Sequence, residues 1–184
     1  IPRRYSPAAG LHRRARPTRV WGRIMRIRLA GIAGQIGGAL LRPLQSLGHV
    51  IGADRTLLDF SRPDSLPHAL DALRPDLIVN LAGYTAVDRA ESERELAFTV
   101  NATAPAVLAR WAAENGAPIV HFSTEYALDG SGERPWREDD PANTVAVSGH
   151  STPPGQTEFR TPGRSHLFSR PRWCFADSDA HFVA

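Results

Sequence analysis

Three glycines at three-residue spacing, Gly31, Gly34 and Gly37, punctuate the run Gly31-Ile32-Ala33-Gly34-Gln35-Ile36-Gly37. Set between a strand and a helix, such a turn suits the pyrophosphate of a dinucleotide. The first glycine permits the tight turn, the second lets phosphates approach the backbone, and the third packs helix against strand. The helix start beyond it offers unpaired N–H groups and a positive dipole end. Asp54-Arg55 follows at about 20 residues, where an acid binds the ribose hydroxyls of NAD and an arginine meets the 2′-phosphate of NADP. The sequence holds both, so NAD(H) and NADP(H) are both admitted.

The elements needed to position these groups are legible around them. Residues 27–30 predict a strand, 35–47 a helix stopped by Gly48, and 49–53 a second strand ending at Asp54. Residues 63–73 predict a short helix with proline in its first turn. The almost continuously apolar residues 76–81 predict a strand buried on both faces. Helical segments are expected between residues 90 and 115 with Gly116 as the stop, then a strand over 117–122. Strand and helix alternating at this spacing argue for an α/β fold, a Rossmann-like doubly wound and mostly parallel sheet. Beyond residue 143 the pattern dissolves, and no element is expected there.

Composition narrows the chemistry. The chain has 184 residues, 42% hydrophobic and 22% charged, enough apolar material for one ordinary core. No stretch approaches the roughly 18–20 apolar residues of a membrane span. A single cysteine, Cys174, excludes an internal disulfide and any cysteine-based zinc cluster. All 22 basic residues are arginine, so chemistry that needs a lysine amine is closed to these residues. No two histidines stand at ligand spacing, which argues against a metal site, and no Gly-x-Ser-x-Gly elbow supports a serine hydrolase.

Charge is unevenly placed. Residues 1–24 carry seven arginines and no acid, whereas residues 25–143 carry 11 arginines against 16 acids. The leader lacks the apolar run of a secretory signal after Arg3-Arg4 or Arg13-Arg14. With only Tyr5 and Trp21 as aromatics and no periodicity, it reads as an unordered basic segment rather than a nucleic-acid surface. Met25, the one methionine, is expected to open the folded protein.

Several further runs carry a resemblance. They are Ala30 to Gly37, Leu58-Asp59-Phe60-Ser61, Arg74-Pro75-Asp76-Leu77-Ile78-Val79-Asn80, Tyr84-Thr85-Ala86-Val87-Asp88-Arg89-Ala90-Glu91-Ser92-Glu93, Val100-Asn101-Ala102 and His121-Phe122-Ser123-Thr124-Glu125-Tyr126. Together they resemble the dTDP-4-dehydrorhamnose reductase family of extended short-chain dehydrogenase/reductases, over about residues 25–143. The resemblance implies an NAD(P)H-dependent, cytoplasmic enzyme of dTDP-L-rhamnose synthesis. It implies a nucleotide-sugar substrate, no membrane partner, and a homodimer as one allowed assembly.

The resemblance also assigns roles. Gly31, Gly34, Gln35, Ile36 and Gly37 would form the pyrophosphate turn, and Asp59 and Phe60 would lie along the adenine. Ala82, Gly83 and Tyr84 would line the nicotinamide-side ribose. Thr124 would bond the substrate's 4-keto oxygen as the catalytic threonine, with Glu125 beside it where the family usually has aspartate. Asp88 and Glu91 read as acids at helix starts.

The family's proton donor is a tyrosine of a Tyr-x-x-x-Lys pair. Here Ser148 and Thr152 hold those positions. An alcohol is a far weaker acid than a phenol, and threonine carries no charge to replace the lysine. Tyr126 and His150 are the remaining candidate donors. The expectation is a Rossmann domain over 25–143, a basic leader over 1–24, and an irregular tail over 144–184. That tail reads as a frame-shifted remnant of the catalytic region, cut short of the substrate lobe, with Trp173-Cys174-Phe175-Ala176 as the trace of a lost strand. Such a chain would have impaired turnover, or would serve as a non-catalytic dinucleotide-binding or regulatory module.

Overall fold

In this computed structural model the described residues are 19–20, 23–123 and 166–169. Seven strands are present among them: β1 (Arg19–Val20), β2 (Arg23–Ile24), β3 (Arg26–Ala30), β4 (His49–Ala53), β5 (Leu77–Asn80), β6 (Ile119–Phe122) and β7 (His166–Ser169). Strands β1 and β2 make a small antiparallel pair, and the other five form one sheet in the order β4-β3-β5-β6-β7. Every pairing in that sheet is parallel, with Ile27 beside both Val50 and Leu77, and Ile78 beside Ile119.

Parallel strands need crossovers, and helices supply them on both faces. Helix α1 (Gln35–Gln45) lays Leu41 and Leu44 against Ile27, Leu29 and Val79. On the opposite face, α2 (Leu66–Leu73) and α5 (Ala104–Glu114) pack Leu66, Leu70, Leu108 and Trp111 against Ala30 and Ile78. The Trp111 indole N–H donates to Asp71 at 2.8 Å, tying α5 to α2. Between β5 and α5 run two short helices, α3 (Val87–Ala90) and α4 (Arg94–Phe98), and a π turn over Thr99–Thr103. No helix among the described residues is long and apolar enough to cross a membrane.

The doubly wound parallel sheet expected from the sequence is therefore present, with three differences in detail. Gly48 is not a left-handed cap, since only Gly31 and Gly116 have positive φ among the described glycines. It is required instead because a Cβ there would overlap the Met25 carbonyl oxygen. Gly116 does stop α5 as expected: its φ is 65°, and the Ala117 N–H closes back on the Ala112 carbonyl at 2.9 Å.

The leader also joins the fold before residue 25. Arg23 donates to Asp76 at 2.6 Å, and the Arg26 amide donates to the same carboxylate at 2.8 Å. The third difference is β7, a parallel strand inside the segment expected to be irregular. Four residues with one exposed leucine, Leu167, are too short for periodicity to reveal; pairing with β6 makes them a strand. Trp173 to Ala176 lie outside the described residues.

Candidate functional site

Strand β3 pairs with β4 on one side and β5 on the other, so the winding of the chain reverses there. In open parallel sheets a crevice forms beyond the carboxyl ends of the strands at that point. Gly31 leaves β3 into this crevice and Leu81-Ala82 leave β5 into it.

The glycine turn is built as its spacing predicts. Gly31 has φ 80°, and a Cβ on it would lie 2.6 Å from the Ala82 amide nitrogen. A Cβ on buried Gly37 would overlap the Gly31 carbonyl, so the third glycine lets the first turn of α1 sit on the loop. Exposed Gly34 has room: a Cβ there would meet only the Gly31 oxygen, at 3.4 Å.

The first i→i−4 bond of α1 runs from the Gly38 amide to the Gly34 carbonyl at 2.9 Å. The amides of Gln35, Ile36 and Gly37 precede it, no side chain caps them, and the first turn carries no acid. That leaves a helix start electrostatically ready for an anion. The Ile32 side chain covers Gly52 of β4, fixing the turn on the sheet.

At the end of β4, Asp54 accepts the Thr56 amide at 2.9 Å and the Thr56 hydroxyl at 2.6 Å. Those bonds hold its carboxyl below the usual range. Arg55 beside it is exposed and makes no ion pair among the described residues. Asp59 closes the same kind of turn onto Ser61, at 3.0 and 2.6 Å, and is held low mainly by the Ser61 hydroxyl. Phe60 is 5% exposed in the core cluster with Ala53 and Leu58. Of that expected pair, Asp59 is the member with an open surface.

The strap 82–84 is tied at three points. The Ala82 amide donates to Asn80 Oδ1 at 3.0 Å. The Tyr84 amide donates to Asn101 Oδ1 at 2.7 Å, and Asn101 Nδ2 donates to the Tyr84 carbonyl at 3.2 Å. The Tyr84 hydroxyl donates to Glu93 at 2.7 Å, while Arg89 holds the other Glu93 oxygen at 2.6 Å. The Glu93 bond pushes the Tyr84 phenol up from its ordinary value. The run from Tyr84 to Glu93 thus acts as a brace for the strap. Glu91 pairs with Arg94 at 3.0 Å, and Asp88 lies in the first turn of α3.

Sequence reasoning missed three residues here: Asn80, Asn101 and His121. Asn80 and His121 are 0% and 3% exposed, and Asn80 Nδ2 lies 3.0 Å from His121 Nδ1. The available signal was a polar residue in each of two otherwise apolar strands, Leu77–Asn80 and Ile119–Phe122. Asn101 was visible only as part of the run Val100-Asn101-Ala102. Thr124 and Glu125 lie outside the described residues, as do Tyr126, Ser148, His150 and Thr152. Strand β6 leads toward Thr124, and the Ser123 amide donates to the Ser169 carbonyl of β7 at 2.8 Å.

Comparison with known proteins bears on these groups together. Residues 25–184 match the family model described as RmlD substrate binding domain, so the match runs past residue 143 into the tail. The dTDP-4-dehydrorhamnose reductase of Salmonella typhimurium is 40% identical over 163 residues, which cover 86% of this chain and 54% of that protein. The chain thus spans about half the length of the curated relatives it matches. The crystal structure of a dTDP-4-dehydrorhamnose reductase from Clostridium acetobutylicum superposes with a TM-score of 0.78 at 29% identity, covering 84% of this chain and 56% of that one. That of the Bacillus anthracis reductase, solved in complex with NADP, has a TM-score of 0.73 at 27% identity, covering 79% and 52%.

Proposed function

Because the chain belongs to the RmlD substrate binding domain family, we propose that its described part is the cofactor-holding half of an NAD(P)H-dependent reductase. The proposed reaction converts dTDP-4-dehydro-L-rhamnose to dTDP-L-rhamnose. One observation carries the cofactor reading: Gly31 meets the Ala82 backbone at the switch point, joining an uncapped helix start to the strap of β5. The bound dinucleotide would supply the hydride for the 4-keto carbon.

The chain's own residues then divide the work of holding it. The amides at Gln35, Ile36 and Gly37 face the pyrophosphate, which Gly31 and Gly34 allow to come close. Asp54 and Arg55 meet the adenosine ribose, with Asp59 and the backbone at Phe60 beside the adenine. Ala82, Gly83 and Tyr84 carry the nicotinamide-side ribose. Thr124 and Glu125, which follow β6 in the sequence, are assigned to the substrate. The reading carries with it a cytoplasmic location and a homodimer, the latter checked by sedimentation.

Ser148 and Thr152 favour a second reading alongside the first. Neither hydroxyl replaces a phenol tuned by an ammonium, so this chain would bind the dinucleotide with little turnover. Titration of the 184-residue chain with NADPH and NADH, read by tryptophan fluorescence, tests the cofactor site. Adding dTDP-4-dehydro-L-rhamnose and following NADPH absorbance then tests turnover. Quenching without absorbance loss marks a binding module, and quenching with it marks a working reductase. A flat titration of folded protein overturns both.

A further inference from the structure

Asn80 stands at the end of β5 with its side-chain amide between two groups of opposite demand. The Ala82 N–H requires an acceptor and meets Oδ1 at 3.0 Å. That orientation points Nδ2 at His121 Nδ1, 3.0 Å away, which must accept. His121 satisfies this only as the neutral imidazole with its proton on Nε2. Burial supports that form by pushing its pKa down to about 4. Without an acceptor opposite Nδ2, the amide would be held in this orientation by the Ala82 N–H alone, with Nδ2 buried and unpaired.

We infer that His121 is a positioning residue: through Asn80 it fixes the Ala82 amide, and so sets the strap 82–84 against the glycine turn. It works by orienting the side chain that accepts the Ala82 N–H, as partners behind a ligating residue do elsewhere. Ala82 is also where a Cβ on Gly31 would collide, so an error at Asn80 reaches the crevice within one residue.

This inference rests on the proposed cofactor site, and its test separates the two. An Asn side chain places its Oδ1 near the position of imidazole Nδ1, whereas leucine fills the space with no acceptor. NADP⁺ affinity is measured by calorimetry for the parent chain, His121→Asn and His121→Leu, with thermal unfolding of each. The expected result is about ten-fold weaker binding for His121→Leu, the scale of one lost oriented hydrogen bond. His121→Asn should stay within about two-fold of the parent. Equal binding by all three, or equal losses in both variants, overturns the inference.

Amide exchange provides a readout that does not depend on the cofactor. Exchange at Ala82 should accelerate in His121→Leu and not in His121→Asn. A parent chain that fails to bind NADP⁺ overturns the cofactor reading, and Ala82 exchange then decides the role of His121 alone. Should His121→Leu fail to fold, His121→Gln takes its place, since it puts its acceptor at the Nε2 position. The same loss relative to His121→Asn is then expected, and parity between the two overturns the inference.

Discussion

Gly31 and Ala82 meet backbone to backbone where β3 and β5 end, so close that a Cβ on Gly31 would lie 2.6 Å from the Ala82 nitrogen. The contact joins the two loops of the crevice across the switch point of the sheet. It also explains why residue 31 has no freedom to vary, since φ 80° and the clash both exclude a side chain.

Gly31→Ala should therefore weaken NADP⁺ binding and lower stability together. Left-handed strain contributes about 1 kcal/mol, and the Leu81–Ala82 clash adds to it. Gly34→Ala, facing only the Gly31 oxygen at 3.4 Å, should fold normally. Paired urea unfolding and NADP⁺ titration check both variants; equal stability of parent and Gly31→Ala would contradict the packing described.

Stability should depend on pH in two separate windows. Burial lowers His121 in the fold to about 4, below the ordinary imidazole value of about 6.5, so the unfolded chain binds the extra proton first. Its contribution is present above about pH 6.5 and is lost as pH falls toward 4. For Asp76 burial alone would raise the carboxyl, but hydrogen bonds from Arg23 and Arg26 outweigh it and hold the group well below its usual range. Its contribution is complete above about pH 4 and is lost only at lower pH. Urea midpoints across pH should thus flatten between 6.5 and 4 in His121→Asn, and below about 4 in Asp76→Asn.

Arg28 should be a liability. It is 5% exposed within β3, and one Nη donates to the Leu73 carbonyl at 2.6 Å. Its Nε and other Nη are buried without partners. Desolvation, then the charge of Arg26, lowers its pKa. Its register neighbours are Ile51 and Ile78. Arg28→Leu should stabilise the chain by about 1–3 kcal/mol, read as a higher urea midpoint with an unchanged slope. A lower midpoint would show that the Leu73 bond outweighs the unpaired donors.

Arg74 caps α2 in the left-handed region at φ 44°, the one non-glycine among the described residues to do so. Arg74→Gly should raise stability by up to about 1 kcal/mol, since the strain it relieves exceeds the added freedom of the unfolded chain. Thermal unfolding of the two proteins measures the difference.

Local pattern made much of this protein readable from its residues. Leu77, Ile78 and Val79 are apolar enough to demand cover on both faces, which by itself selects a parallel sheet with helices above and below. The spacing of Gly31, Gly34 and Gly37 specified a turn that admits no side chains at its first and third positions, because close backbone approach leaves a sequence mark. Asp54 and Asp59 stood at the right places, yet their capture by Thr56 and Ser61 needed the folded loops.

Tertiary structure alone decided the partners of residues far apart in the chain. Asn80 and His121 are 41 positions apart, Tyr84 and Asn101 are 17, and Arg23 and Asp76 are 53. No periodicity encodes such pairs; they follow from which strands become neighbours. The same holds for His166–Ser169, four residues with no strand signal of their own until β6 offers its open hydrogen-bonding edge. Side-chain type determined what each element must bury, and sheet order determined which polar groups must satisfy one another once buried.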